Sequence, residues 1–365
     1  VLTSPAFLYR KEQPPPGDKA APVSGLELAN RLSYFLWSSM PDAELRRMAL
    51  AGTLTNQRAL VEQTRRMSDD PRTQRLAIQF ACQWLHVRNF DQNDDKNEKL
   101  YPEFRLLRAS MYEETVQFFS DLFQNDGSIL EMINADYSFL NSSLARHYEI
   151  PLPTDTDSKT DRLWQRVNGV QSRGRGGILG MASFLASQSG ASRTSPILRG
   201  NWIYETLLGE RLPRPPANVP QLPEAVPDGR TARKLIEEHT RAAACAQCHD
   251  KIDPYGFALE QYDAVGRKRI PYVDTSTKLS DGTELSGIDG LREYLINTRR
   301  DDLVGQFCKK LLGYSLGRAV QLSDEPLLDK MQRQLAKNNY RFSVAVVIIV
   351  TSPQFREIRG LAATD

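Results

Sequence analysis

The sequence predicts a mostly α protein, and three observations carry that expectation. Apolar residues recur at helical spacing along most of the chain, start and stop signals bracket those stretches, and a hairpin signal is confined to one short segment. With 365 residues the chain exceeds one ordinary core, because domains usually run to roughly 100–200 residues. The expected division is a linker over 1–24, a helical domain over 25–150, a central module with loops and a short hairpin over 151–285, and a C-terminal helical domain over 286–365.

In the first helical domain, "LELANRLSYFLW" puts Leu28, Leu32, Phe35 and Leu36 on one helix face. The next helix has Pro41 in its first turn and Gly52 just past its end, the usual start and stop asymmetry. Thr55 is the expected cap of "TNQRALVEQTRRM", and Pro71 opens a helix running through Trp84 and Leu85. The strongest amphipathic stretch is "RLLRASMYEETVQFFSDLF", where Leu107, Met111, Phe118 and Leu122 share a face and Thr115 is the only polar residue in the stripe. "NADYSFLNSSLARHYEI" adds a turn and a short helix capped near Asn141 or Ser142.

The run from Pro151 to Thr160 reads as a linker or exposed loop. A Gly-rich approach then leads to a helix around Leu179–Ala186, and another helix starts at Ser195–Pro196 and stops at Gly209. "RLPRPPANVPQLPEAVP" reads as a stiff polyproline-like spacer, followed by a short helix, "TARKLIEEHTRAA". Asp281–Gly282 marks the hairpin, and residues from Ile288 to Arg359 read as helices. No period of about 20–50 residues repeats.

Composition excludes some functions. At 25% charged residues and a net charge of +2, with acids and bases interspersed, nothing electrostatic points to nucleic acid. The longest apolar run, Val344–Val350, falls far short of the roughly 20 residues needed to span a bilayer. The chain opens on Val1 without a signal peptide, so its start is expected to be a processed end or a cut inside a longer protein. Four cysteines are too few for a disulfide scaffold. Cys82 and Cys308 lie in apolar helical stretches and are expected to be buried thiols, with a disulfide between them as the alternative.

The chemistry concentrates in "CAQCHDKIDPYGFALEQYDAVGRKR", residues 245–269. Two thiols three residues apart, followed at once by a histidine, are what covalent haem attachment requires: Cys245 and Cys248 as thioether donors, His249 as axial iron ligand. Zinc would need a second ligand pair, and a thioredoxin-like redox pair would be expected within a βαβ pattern; neither is evident. One covalent haem c is therefore the expected cofactor, carried by the module over 151–285.

Downstream, Pro254 and Gly256 are expected to turn the chain, so that Phe257, Leu259 and Tyr262 cover a porphyrin face or pack in the core. Arg267 and Arg269 are candidates to pair with haem propionates, or else are surface cations. For the sixth iron ligand the order of preference is Met181, whose Gly-rich approach would let backbone come close to a flat cofactor, then His239, then Met331. His86 and His147 are expected to be structural, and Asp69–Asp70, Asp94–Asp95 and Glu113–Glu114 to be solvated or helix-terminal charges. No phosphate loop, nucleophile elbow or His-Glu zinc helix is found.

The motif segment, with "NRLSYFLWSSMPDAEL", "QWLHVRNFD", "DYSFLNSSLARHYEIP", "RTSPILRGNWIYETLLG" and "KLLGYSLGRAV…YRFSVAVVIIVTSPQFR", resembles the planctomycete-type cytochrome-associated family of tandem domains of unknown function. The resemblance covers almost the whole chain, in that family's domain order. It implies further modules upstream, often with another haem, and "LTSPAFLYR" is similar to the tail of such a module. The function expected is single-electron transfer with a redox partner protein or neighbouring haem domain, in an exported, periplasmic or cell-surface setting. The alternatives are a haem enzyme with an open distal site, peroxidase-like or a dehydrogenase subunit, and a surface or structural protein whose haem supports the fold.

Overall fold

The computed structural model describes residues 12–153, 162–213, 222–223, 231–241 and 243–360. The fold is mostly α, with only short strands. The expected linker beyond residue 153, the "RPPANVP" part of the spacer and the "LTSPAFLYR" tail lie outside the described residues. The chain divides into two compact units, one of the described residues up to Ala81 with Ser120–Ile129 and the residues from Cys308 on, the other of Cys82–Phe119 with Leu130–Phe307.

In the first unit, helix Gly25–Trp37 starts at a capping box of Ser24 and Glu27 and buries Leu28, Leu32, Phe35 and Leu36, the predicted face. Asp42 caps helix Ala43–Leu50. The cap of helix Gln57–Ser68 is Asn56, not Thr55: its side chain accepts from the amides of Arg58 and Ala59. Thr55 instead ends a 3-10 turn, its hydroxyl donating to the Gly52 carbonyl at 2.8 Å. Phe35 packs against Phe355 and Tyr314, and Phe123 stacks on Phe342 at 4.3 Å. Strand Ala20–Pro22 pairs antiparallel with Glu357–Arg359, tying the two ends of this unit together.

In the second unit, Leu107, Met111, Thr115 and Phe118 of helix Phe104–Gln124 are buried as predicted. Thr115 is tolerated there because its hydroxyl shares a 2.7 Å hydrogen bond with that of Ser183. Asn141 caps helix Ser142–Tyr148, and strand Tyr137–Leu140 pairs antiparallel with Gln165–Asn168. The Gly-rich segment does bring backbone close, but to protein: a Cβ at Gly176 would lie 2.1 Å from the Ala135 carbonyl oxygen, and one at Gly177 2.5 Å from that of Ile133. The hairpin forms as Ser276–Lys278 with Glu284–Ser286.

Glu114 corrects the reading of the paired acids, since it is buried rather than solvated. Ser138 and Tyr148 each donate a hydroxyl to its carboxyl at 2.6 Å. Burial pushes its pKa up to about 7, against the opposing pull of those hydroxyls and the Arg175 charge. A carboxyl whose folded-state pKa exceeds its unfolded value stabilises the fold fully below the unfolded pKa and loses that contribution as pH rises through the folded value. Stability should therefore fall between pH 4.5 and about 7 by the share that Glu114 carries. Glu114→Gln should flatten that share of the slope in chemical denaturation at a series of pH values; an unchanged slope would show that Glu114 does not titrate there.

Candidate functional site

The Cys-x-x-Cys-His motif lies on a regular helix, Ala243–Phe257. Alanines at 243, 244 and 246 favour that conformation. On a helix, positions i, i+3 and i+4 share a face, so Cys245, Cys248 and His249 stand side by side, all three half-exposed. Asp253, one turn on, accepts from His249 Nδ1 with both carboxylate oxygens at 3.0 Å. That contact fixes the ring and leaves Nε2 as the nitrogen for a metal, the arrangement in which a carboxylate raises a ligand imidazole's basicity. Burial pushes the Asp253 carboxyl up, and the bond to His249 pulls it down.

Pro254 and Gly256 do not turn the chain: the helix runs through both to Phe257 and is followed by tight turns at Leu259 and Glu260. Gly256 serves a crossing instead. A Cβ there would lie 1.9 Å from the Pro196 carbonyl oxygen, and one at Gly200 would lie 1.9 Å from that of Ile252. Helix Pro196–Asn201, capped by Ser195 as expected, thus lies backbone against backbone on the motif helix. Helical structure continues from it into a π segment, Trp202–Leu207.

The downstream candidates have protein partners. Phe257, Leu259 and Tyr262 are buried, with the Arg233 guanidinium 4.4 Å from the Phe257 ring centre. The Tyr262 hydroxyl donates to the Gly174 carbonyl. Arg267 pairs with Glu103 at 2.8 Å and Asp263 at 2.9 Å, and Arg269 donates to the Thr194 hydroxyl at 3.0 Å. Met181 is wholly buried, and its sulfur accepts from Thr115 at 3.6 Å. Met331 is buried on helix Glu325–Lys337 of the other unit.

His239 ends helix Ala232–His239, and its ring centre lies 5.5 Å from that of His249, with the planes at 79°. His147 is structural, its Nε2 3.0 Å from the Val265 carbonyl, and burial lowers its pKa to about 4. His86 is exposed. Cys82 and Cys308 are free buried thiols, each pushed up to about 12 by burial. Sequence reasoning missed three interior arginines, Arg175, Arg199 and Arg292, whose guanidinium groups hold backbone carbonyls.

Among the described residues no three His, Cys, Asp or Glu side chains converge as a protein-only metal site. A haem needs less: two accessible thiols and one oriented imidazole, which this helix face presents together. The residues fit that group.

Three family models match in tandem, each described as a protein of unknown function: DUF1592 over residues 23–150, DUF1588, also termed PSCyt3, over 175–271, and DUF1585 over 281–355. No curated protein and no solved structure matches the chain. The half-exposed cysteine pair and its histidine fall inside the second of these matches, the one whose name refers to a cytochrome. With the three domains following one another over most of its length, the chain belongs to the planctomycete cytochrome-associated family.

Proposed function

We propose that the chain is a c-type haem protein that passes single electrons between a redox partner protein and a neighbouring haem domain, within a larger exported protein. The observation that carries this reading is the shared helix face, where Cys245, Cys248 and His249 stand half-exposed with Asp253 bonded to the imidazole. Cys245 and Cys248 would hold one haem through two thioether bonds, each made as an S–H adds across a vinyl group with no atom lost. His249 would bind the iron through Nε2, while Asp253 keeps the proton on Nδ1 and the ring in place. When bound, the haem supplies a one-electron couple whose potential the protein sets through axial ligands and burial. Tyr262, its hydroxyl spent on Gly174, and Phe257, beneath Arg233, support the motif helix from within in this reading.

The test is expression with an export leader, in a host that attaches c-type haem only outside its cytoplasm. The exported chain should keep its haem through denaturation and give a c-type pyridine haemochrome. Denatured and reduced, it should titrate two thiols, those of Cys82 and Cys308, and in the native state none. Four titratable thiols with bound zinc would sink the proposal, and haem loading of the leaderless form would sink its export part.

A further inference from the structure

Resting on that reading, we infer that His239 is the second axial ligand, so that two histidines close both faces of the iron and leave no open distal site. Two imidazoles bound on opposite sides of one ion through bonds of about 2 Å have ring centres roughly 6 Å apart. The His239 and His249 ring centres are 5.5 Å apart, within an ångström of that separation. Neither Nε2 has a hydrogen-bond partner among the described residues, and both rings are half-exposed.

The position of His239 is built, not incidental. Thr231 caps its eight-residue helix by accepting from the Lys234 amide at 3.2 Å. Ile236 is buried, 1% exposed, and anchors the helix one turn before the histidine. Arg233 adds two holds, its guanidinium over the Phe257 ring and its Nη2 donating to the Ser276 carbonyl at 2.8 Å. The helix is thereby tied to the end of the motif helix and to the hairpin strand. Met181 offers no comparable geometry, because its sulfur is buried against Thr115. A fixed pair of nitrogen ligands suits an iron that changes charge without changing partners, which favours electron transfer over ligand activation.

The test uses the haem-loaded protein and its His239→Ala and His239→Met variants. The unaltered protein should be low-spin and refuse carbon monoxide. His239→Ala should keep its covalent haem, unchanged in the pyridine haemochrome assay, yet become high-spin, bind carbon monoxide and return to low-spin with added imidazole. His239→Met should stay six-coordinate, gain a sulfur-to-iron charge-transfer band and show a higher potential; it decides the matter if the alanine variant fails to accumulate. A haem-bearing His239→Ala that stays low-spin and inert to carbon monoxide overturns the inference while leaving the haem proposal standing. Ready carbon monoxide binding with peroxide turnover by the unaltered protein overturns it too, in favour of an enzyme. Absence of covalent haem in the unaltered protein removes both readings together.

Discussion

Gly256→Ala and Gly200→Ala should each destabilise the second unit by roughly 3 kcal/mol or more, at the upper end of what overpacking costs. Each added methyl would stand 1.9 Å from a carbonyl oxygen, Pro196 for Gly256 and Ile252 for Gly200. Both obstacles are backbone, so no rotamer change relieves them. Relief requires the two helices to separate, and Ile252 and Tyr255 on the motif helix are buried. The motif helix would then lose the support that sets its thiol face, and under the proposed function covalent haem yield should drop with stability. Gly290→Ala is the control: its nearest foreign atom would be 3.7 Å away, inside helix Gly287–Asn297. It should be neutral or stabilising by up to about 1 kcal/mol. Thermal unfolding of the three variants makes the comparison, and a Gly256→Ala protein as stable as the control would show that the close crossing does not hold in solution.

These glycines also mark where sequence reading stops. Helix faces were legible because burial of one side imposes a 3.6-residue period on the residues themselves, as at Leu107, Met111, Thr115 and Phe118. Caps such as Asn141 and Ser195 were legible or nearly so, because they act on amides three residues away. The Cys-x-x-Cys-His motif was legible for the same reason, its three groups falling within five consecutive residues. Gly200 and Gly256, by contrast, read as interruptions until the segments 56 positions apart are seen to cross. The pairing of Ala20–Pro22 with Glu357–Arg359 has no local signal, since three residues cannot announce a partner at the other end of a unit. Likewise the nearness of His239 to His249 depends on the chain folding back, and spacing does not encode that. Pro254 misled in the opposite sense: proline usually ends a helix, yet here the helix, packed against Pro196–Asn201, runs through it.

Arg199→Met should cost about 3–5 kcal/mol, because a buried cation leaves behind the groups it satisfied. Arg199 is fully buried. Its Nη1 donates to the carbonyls of Leu259 and Tyr262, and its Nη2 to those of Leu185 and Asp263 and to the Ser189 hydroxyl, all within 3.1 Å. One guanidinium thus ties helix Ala182–Ser187 to the turns that leave the motif helix. Burial lowers its pKa to about 10, and at neutral pH it stays charged. Glu260, 3.6 Å away and also buried, balances part of that charge while accepting from Thr194 at 2.9 Å. The carbonyls outnumber the carboxylate, so adding Glu260→Gln to Arg199→Met should recover only a minor part of the loss. Arg199→Lys should fail nearly as badly, since one ammonium offers three donors at a point where a planar fork reaches five acceptors. Denaturant unfolding of the three variants separates these terms. A lysine variant within about 1 kcal/mol of the unaltered protein would mean that charge alone, not the fork, holds the turns; a double variant restored to full stability would place the cost on Glu260 left without Arg199 instead.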